Sequence, residues 1–311
     1  MENSIPFIEK AKAEGNNRFF SVLGTLLLVV GAFLAGQLPL AVAIELILLQ
    51  KGIPTENFEA ALQAPETYGI DPRVVFAGYV MSFAAAALAL AAGIRWFHKR
   101  RLSNFWEGAG PDWRRLGLDG LILLALLGGI DALFWLSGAV SYSMQARPEE
   151  ALVTLGLAVV LVPIQAGLEE LLFRGYLLQL FCLGFKKFLP AALLSSVLFS
   201  LLHTANPEVA AYGWYWALPA YFLFGFLACV LVYLDGNLRT AILFHTVNNI
   251  YGFAIVSYPN SAMPVPALFH MEEMNMAMTL VGMPLILLVF ILIVRKGHGW
   301  DLKTLLQMVR K

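Results

Sequence analysis

This 311-residue sequence is short of charge. Only 14% of its residues are Asp, Glu, Lys or Arg, against roughly 25% in ordinary soluble domains, while 59% are hydrophobic and mean hydropathy is +0.72. That balance excludes a soluble globule and places the chain in the membrane class. The 21 bases match 21 acids, and without net charge nothing points to nucleic acid or to a strongly acidic partner. Cysteine is nearly absent. Cys182 and Cys229 lie in different apolar segments without CxxC or CxxxxH spacing, so neither a disulfide framework nor a cysteine zinc site is expected, and both read as packing residues. There is no HExxH, and the echo of His203-Thr-Ala-Asn206 in His245-Thr-Val-Asn248 is too weak to count as a repeat. No link between the apolar segments is long enough to fold as a catalytic domain, so any chemistry takes place within the membrane.

What the sequence does have is apolar runs from end to end. The first starts after Arg18 and continues to Gln50. It exceeds the roughly 20 residues a crossing needs, so it must tilt or break near Pro39. A signal peptide cut at Ala41-Val42-Ala43 is the rival reading, but the leader is long, carries Glu2, Glu9 and Glu14, and the apolar run continues past the cut. Further runs at about 74–97, 116–136, 151–181, 190–203, 214–234, 238–257 and 277–294 predict an all-α, polytopic bundle of about eight transmembrane helices. The fifth run is short, confined between Pro190 and the polar stretch His203 to Pro207. Basic residues concentrate on the cytoplasmic side of membrane proteins, and an N-in, C-in chain of eight spans puts 17 of the Lys and Arg inside, three outside and Arg174 within the bilayer. Trp96, Trp106 and Trp113 then flank the inner edge, with Tyr212, Trp214, Tyr215 and Trp216 at the outer edge.

The expected organisation is residues 1–149 as an N-terminal region of three spans, 150–255 as a catalytic core, and 256–311 as the last span with a cytoplasmic tail. The link 98–115 reads as interfacial, and the tail after Arg295 as an amphipathic helix on the inner leaflet. Met271, Met274, Met276 and Met278 read as membrane-edge fillers. Gly78, Ala84 to Ala87, Gly128 and Gly129 suggest close helix packing.

Residues 163–180 carry the exception to this apolar pattern: Glu169, Glu170 and Arg174 inside a segment long enough to sit in a bilayer. A charge at the bilayer centre costs about 3 kcal/mol on insertion scales, so these residues form a candidate functional site. Glu170 and Arg174, four apart, share one helix face, while Glu169 is turned about 100° away. Arg174 can therefore neutralise Glu170, leaving Glu169 free; a buried ionic staple between helices is the alternative reading. Of the five histidines, His98, His270 and His298 read as solvated or interfacial. His203 ends the fifth run, and His245 lies inside the seventh with Asn249 one turn on. From the inner ends of their spans, Glu169 is about 18 Å deep, His203 about 20 Å, His245 about 10 Å and Asn249 about 16 Å, so the four can meet between the midplane and the cytoplasmic side. A carboxylate, two imidazoles and a carboxamide in a low-dielectric cavity can activate a water and stabilise an oxyanion. A zinc site with Glu169, His203 and His245 as ligands ranks second.

Taken in order, Glu169-Glu170-x-x-x-Arg174, Phe199-x-x-x-His203 and His245-x-x-x-Asn249 resemble the three-motif signature of the CPBP superfamily, which includes type II CAAX prenyl endopeptidases, lysostaphin-resistance-like proteins and bacteriocin-immunity membrane proteins. The similarity covers roughly residues 150–255. It implies an eight-helix intramembrane endopeptidase, open toward the cytoplasm and acting on a membrane-associated or prenylated CAAX-type peptide. Glu169 and His203 would activate water, His245 and Asn249 would form the oxyanion hole, and Glu170, Arg174 and Phe199 would support the site. Family members have been described as metalloproteases, whereas a metal-free glutamate mechanism fits the residues better, with no cofactor; membrane lipids are the other expected partner, and the plasma membrane the location in a prokaryote. Residues 1–150 lie outside the resemblance, so substrate choice does not carry over. The competing class is a non-enzymatic immunity or scaffold protein, or a transporter using Glu169, Glu170 and Asp131 as proton sites. A transporter should carry inverted repeats, and none is visible; Asp131 alternatively bonds to a neighbouring helix.

Overall fold

The computed structural model describes residues 19–101 and 111–308; the readings for Lys10, Lys12, Arg18, Trp106, Arg310 and Lys311 fall outside the described residues. Helix α1 (Phe19–Gln50) runs 32 residues without interruption at Pro39, about 48 Å at 1.5 Å per residue. Tilt, not a break, must fit it to a hydrocarbon core about 30 Å thick. One stripe, including Leu27, Leu34 and Leu38, is more than half exposed, which is stable only against lipid. The opposite stripe, including Thr25, Leu40 and Ile44, is buried.

A short helix, α2 (Phe58–Gln63), sits in the first loop, and α3 (Pro72–Trp96) returns alongside α1. Asp71 starts α3 by accepting a hydrogen bond from Arg73 N, with Pro72 at the first helical position where its missing N–H costs nothing. Small residues let the two backbones approach: a Cβ on Gly36 would lie 2.7 Å from Ser82 Cα, and one on Gly78 2.8 Å from Leu40 Cδ1. The close-packing expectation fails at Gly129, which faces open space, and at Gly128, which meets only the Tyr251 hydroxyl at 4.0 Å.

Helix α4 (Trp113–Leu136) is followed by strand β1 (Tyr142–Met144) and by α5 (Pro148–Glu170). A widened π turn over Leu171–Leu177 joins α5 to α6 (Leu178–Phe185), making one apolar rod of 38 residues. Then come α7 (Phe188–Leu202), α8 (Pro207–Tyr212), α9 (Trp214–Asp235) and α10 (Arg239–Ile250), which ends in a second π turn over Tyr251–Ile255. Strands β2 (Val256–Ser257) and β3 (Phe269–Met271) precede α11 (Met276–His298). The fold is an all-α polytopic membrane bundle. Among the described residues, six helical segments are long and apolar enough to cross a bilayer, whereas α7 is a shorter apolar helix.

The connecting segments gather at two ends. At one, β3 pairs antiparallel with β1 and parallel with β2, a small sheet not anticipated from the sequence. Tyr212 Oη donates to Pro259 O at 2.7 Å and Ser257 Oγ to Gln145 Oε1 at 2.7 Å, binding the loops of that end together. At the other end, three expectations need correction. His98 is fully buried and shares a 2.8 Å hydrogen bond with the Tyr176 hydroxyl, while Arg100 donates to Gln179 at 2.8 Å, so the link begins inside the bundle and not at an interface. His298 is not solvated: its Nε2 lies 2.7 Å from Asp119 Oδ2, and its Nδ1 lies 3.6 Å from Asp235 Oδ1. After Gly299, whose positive φ closes α11, the tail forms a 3₁₀ turn over Leu302–Gln307. Trp300 and Met308 are buried in the main apolar core, so the tail packs on the protein and does not lie free on the leaflet. His270, at the first end, bonds through Nδ1 to Ser257 Oγ at 2.9 Å.

Candidate active site

The site is built on α5, the π turn, α7, α9 and α10. Glu170 and Arg174 meet as the i, i+4 spacing predicts, with Arg174 Nη1 2.9 Å from Glu170 Oε1 and both side chains completely buried. Arg174 also donates from Nε to Gly225 O at 3.3 Å and lies 4.3 Å from the centre of the Phe199 ring. Phe199 thus supplies a cation–π partner for a desolvated guanidinium, an interaction worth about 2 kcal/mol in such surroundings. Gly225 allows a close approach at this crossing: a Cβ there would sit 3.0 Å from Arg174 Nη2 and 3.3 Å from Phe199 Cδ1, and both would have to give way by a few tenths of an ångström.

Glu170 has a second partner, which helix spacing could not reveal. Its Oε1 lies 2.8 Å from His245 Nδ1, on α10. The imidazole donates to the carboxylate from Nδ1, which turns Nε2 toward Glu169, whose Oε2 is 3.8 Å away. That Oε2 is buried and without a hydrogen-bond partner. A gap of this size between two polar atoms suits a bridging water.

His203 is held in the same way. Its Nδ1 lies 2.7 Å from the Phe199 carbonyl oxygen, which can only accept, so Nδ1 carries the proton and a neutral ring keeps its lone pair on Nε2. The ring stacks on Tyr221, with centroids 4.1 Å apart and planes at 25°, and Tyr221 accepts from Asn206 Nδ2 at 2.9 Å. Gln165, one turn before Glu169, was missed in the sequence. Its Nε2 donates to Glu169 Oε1 at 2.6 Å while its Oε1 accepts from Asn249 Nδ2 at 3.0 Å, so one carboxamide ties the acid to the asparagine. Only the i, i+4 relation to Glu169 could have signalled it. Asn249 is also held by Asn248, which donates to its Oδ1 at 3.2 Å. One hydrogen on the Asn249 amide nitrogen is therefore committed and the other available.

Glu169, His203, His245 and Asn249 all line one cavity of about 1330 Å³. Its inner wall is aromatic: Phe173 and Phe199 meet edge to face at 5.2 Å, and Phe224 stacks on Phe244 at 5.1 Å. From there it extends to the end that carries the small sheet, where Gln63, Ala146, Glu208 and Ser257 belong to its wall. No described residue of the loops at the opposite end, around His298, lines it. Glu208 shapes the open end by accepting from Ala262 N at 2.8 Å and Tyr258 Oη at 3.1 Å. Burial, with the Glu208 carboxylate nearby, pushes the Tyr258 phenol well above its usual pKa, so it remains a donor.

As for metal, among the described residues no group of three His, Cys, Asp or Glu is arranged to hold an ion. Glu169, His203 and His245 share the cavity but do not form a ligand set. Asp131 takes the structural alternative: it accepts from Tyr251 Oη at 2.7 Å and from Tyr142 Oη at 3.1 Å.

Fold and site together describe an integral membrane protein whose core is similar to CAAX-protease-like proteins. Residues 148–251 match the family model of type II CAAX prenyl endopeptidase Rce1-like proteins, and the resemblance to the CPBP superfamily read from the motifs holds. A protein of Bacillus subtilis (strain 168), described as uncharacterized protein YyaK, is 29% identical over 266 residues, which is 84% of this chain and 86% of that protein. No solved structure matches significantly.

Proposed function

We propose that this protein is an intramembrane endopeptidase that hydrolyses a peptide bond in a membrane-associated substrate with a water activated by Glu169 and His203. The observation that carries the reading is the buried, unpartnered Glu169 Oε2 facing His245 Nε2 across 3.8 Å, with Gln165 holding the other carboxylate oxygen. A water in that gap gives a proton to Glu169, and its oxygen attacks the carbonyl carbon. The oxyanion that forms is met by Asn249 and by His245 when its Nε2 is protonated. Collapse breaks the C–N bond, and the proton held by Glu169 passes to the leaving amine. Glu170 orients His245, and Arg174 balances Glu170. In this reading no step uses a metal.

The test is cleavage of quenched fluorescent peptides, prenylated and plain, by the detergent-purified protein, its Glu169→Gln and His203→Ala variants, and the wild type with a zinc chelator. Cleavage lost by roughly 10³-fold in Glu169→Gln and unaffected by chelation is the expected result. Loss on chelation would transfer the reaction to a metal. A Glu169→Gln variant that keeps full cellular function would return the protein to the immunity or scaffold class. The plasma membrane of a prokaryote is the proposed location.

A further inference from the structure

The cavity and the charge asymmetry have a joint consequence. Among the described residues, twelve Lys and Arg lie on the segments gathered around His298, and only Lys51, Arg73 and Arg147 lie on those at the cavity's open end. By the preference of basic residues for the cytoplasmic side, the His298 end is inside and the sheet end outside. The wall of the cavity includes residues from the loops 51–71, 137–147, 203–213 and 256–275, all at the sheet end, and none from the loops around His298. The same wall carries Glu59, Glu66, Asp131, Glu169 and Glu208, besides Glu150, whose charge Arg147 balances, and no Lys or Arg. The nearby bases are already paired: Arg73 with Asp71 at 2.8 Å, and Arg147 with Glu150 at 2.7 Å and Glu149 at 3.3 Å.

We propose that the cavity is entered from the outer face of the membrane and that it takes an exported, membrane-associated peptide bearing cationic residues beside an apolar stretch. A low-dielectric cleft lined by one sign of charge concentrates ligands of the opposite sign. The phenyl rings on its inner wall and the apolar faces of α1 and α3 receive the apolar part of such a peptide. A cytoplasmic C-terminal carboxylate is a poor fit on two counts, since it would arrive on the closed side and find no free cation in the wall. The substrate half of this proposal rests on the endopeptidase reading; the orientation does not.

Two measurements separate them. Single cysteines are introduced as Gln63→Cys and Ala205→Cys at the cavity's open end, and as Lys187→Cys and Lys303→Cys at the other, all at exposed positions. Each is expressed in a bacterial cytoplasmic membrane and treated with a membrane-impermeant maleimide, with the wild-type protein, whose Cys182 and Cys229 are buried, as background. The expected result is labelling of Gln63→Cys and Ala205→Cys in intact cells, and of the two lysine replacements only after permeabilisation. The reverse pattern overturns the orientation whether or not the protein is a protease. For the substrate class, Glu169→Gln protein is titrated with two fluorescent peptides, one apolar core flanked by lysines and the same core flanked by glutamates. Binding at least tenfold tighter for the lysine peptide, with the preference weakened by salt, supports the proposal. Equal binding, or preference for the glutamate peptide, refutes it. Because this assay needs no turnover, loss of the endopeptidase reading in the cleavage test leaves both results interpretable.

Discussion

Replacing Arg174 with methionine tests the electrostatic core of the site. The substitution keeps an unbranched chain in the slot between Phe199 and Gly225 but leaves Glu170 as a carboxylate with no cation and zero exposure. Breaking a buried pair by removing one member costs about 3–5 kcal/mol, because the remaining charge has neither water nor partner. His245 still bonds Glu170 at 2.8 Å and can share some of that charge, so a loss of about 3 kcal/mol is expected, more than a hundredfold in the folded-to-unfolded ratio. Reversible unfolding by SDS in mixed micelles, followed by tryptophan fluorescence, reads it. Adding Glu170→Gln removes the stranded charge, and the double variant should regain most of the stability. Catalysis should not return, because His245 has then lost the carboxylate that aims its Nε2; kcat stays down by roughly 10²-fold or more while KM changes little. A single variant less than about 1 kcal/mol destabilised would refute the buried-pair argument. A double variant with restored turnover would remove Glu170 from the positioning of His245.

Other perturbations separate positioning from packing. Gln165→Leu should lower kcat by roughly tenfold to a hundredfold at unchanged KM and unchanged thermal stability, since it releases Glu169 and Asn249 without opening the core; a parallel fall in stability would make Gln165 merely structural. His298→Ala leaves Asp119 and Asp235 facing each other without their shared imidazole, and should cost about 2 kcal/mol and expose the tail after Gly299 to limited proteolysis. Gly36→Leu should separate α1 from α3, lowering thermal stability by roughly 1–3 kcal/mol, whereas Gly129→Leu, facing open space, should be tolerated. At the start of α3, the hydrogen bonds from Arg73 hold the Asp71 carboxyl below its usual pKa. A depressed carboxyl stabilises the fold above its unfolded pKa of about 3.9, and that contribution disappears as pH falls through the folded value. The pair is partly exposed, and after solvent screening the expected acid effect is only a few tenths of a kcal/mol. It should vanish in Asp71→Asn, and an unaltered acid limb in that variant would refute the assignment.

Composition and period were enough to establish the membrane class, the helical bundle and the pairing of Glu170 with Arg174. Those features are local: an apolar run needs lipid or a core wherever it occurs, and four-residue spacing puts two side chains on one helix face before anything packs. The motif histidines were also legible, since an imidazole inside an apolar segment needs a partner whatever the fold. Which partner each found was decided by tertiary structure. Glu170 reaches His245 across 75 positions of sequence, and Gln165 reaches Asn249 across 84. The π turn after Glu170 has no signature in the residues. His98 and His298, surrounded by basic residues, looked solvated for the same reason that they are not: their partners Tyr176, Asp119 and Asp235 lie far away in the chain. The cavity's direction belongs with these. Counting lysines and arginines orients the chain ends because each charge is repelled by the bilayer individually, but whether a buried site opens at one end or the other depends on where Phe173, Phe199, Phe224 and Phe244 come together, and only packing brings four helical segments to that point.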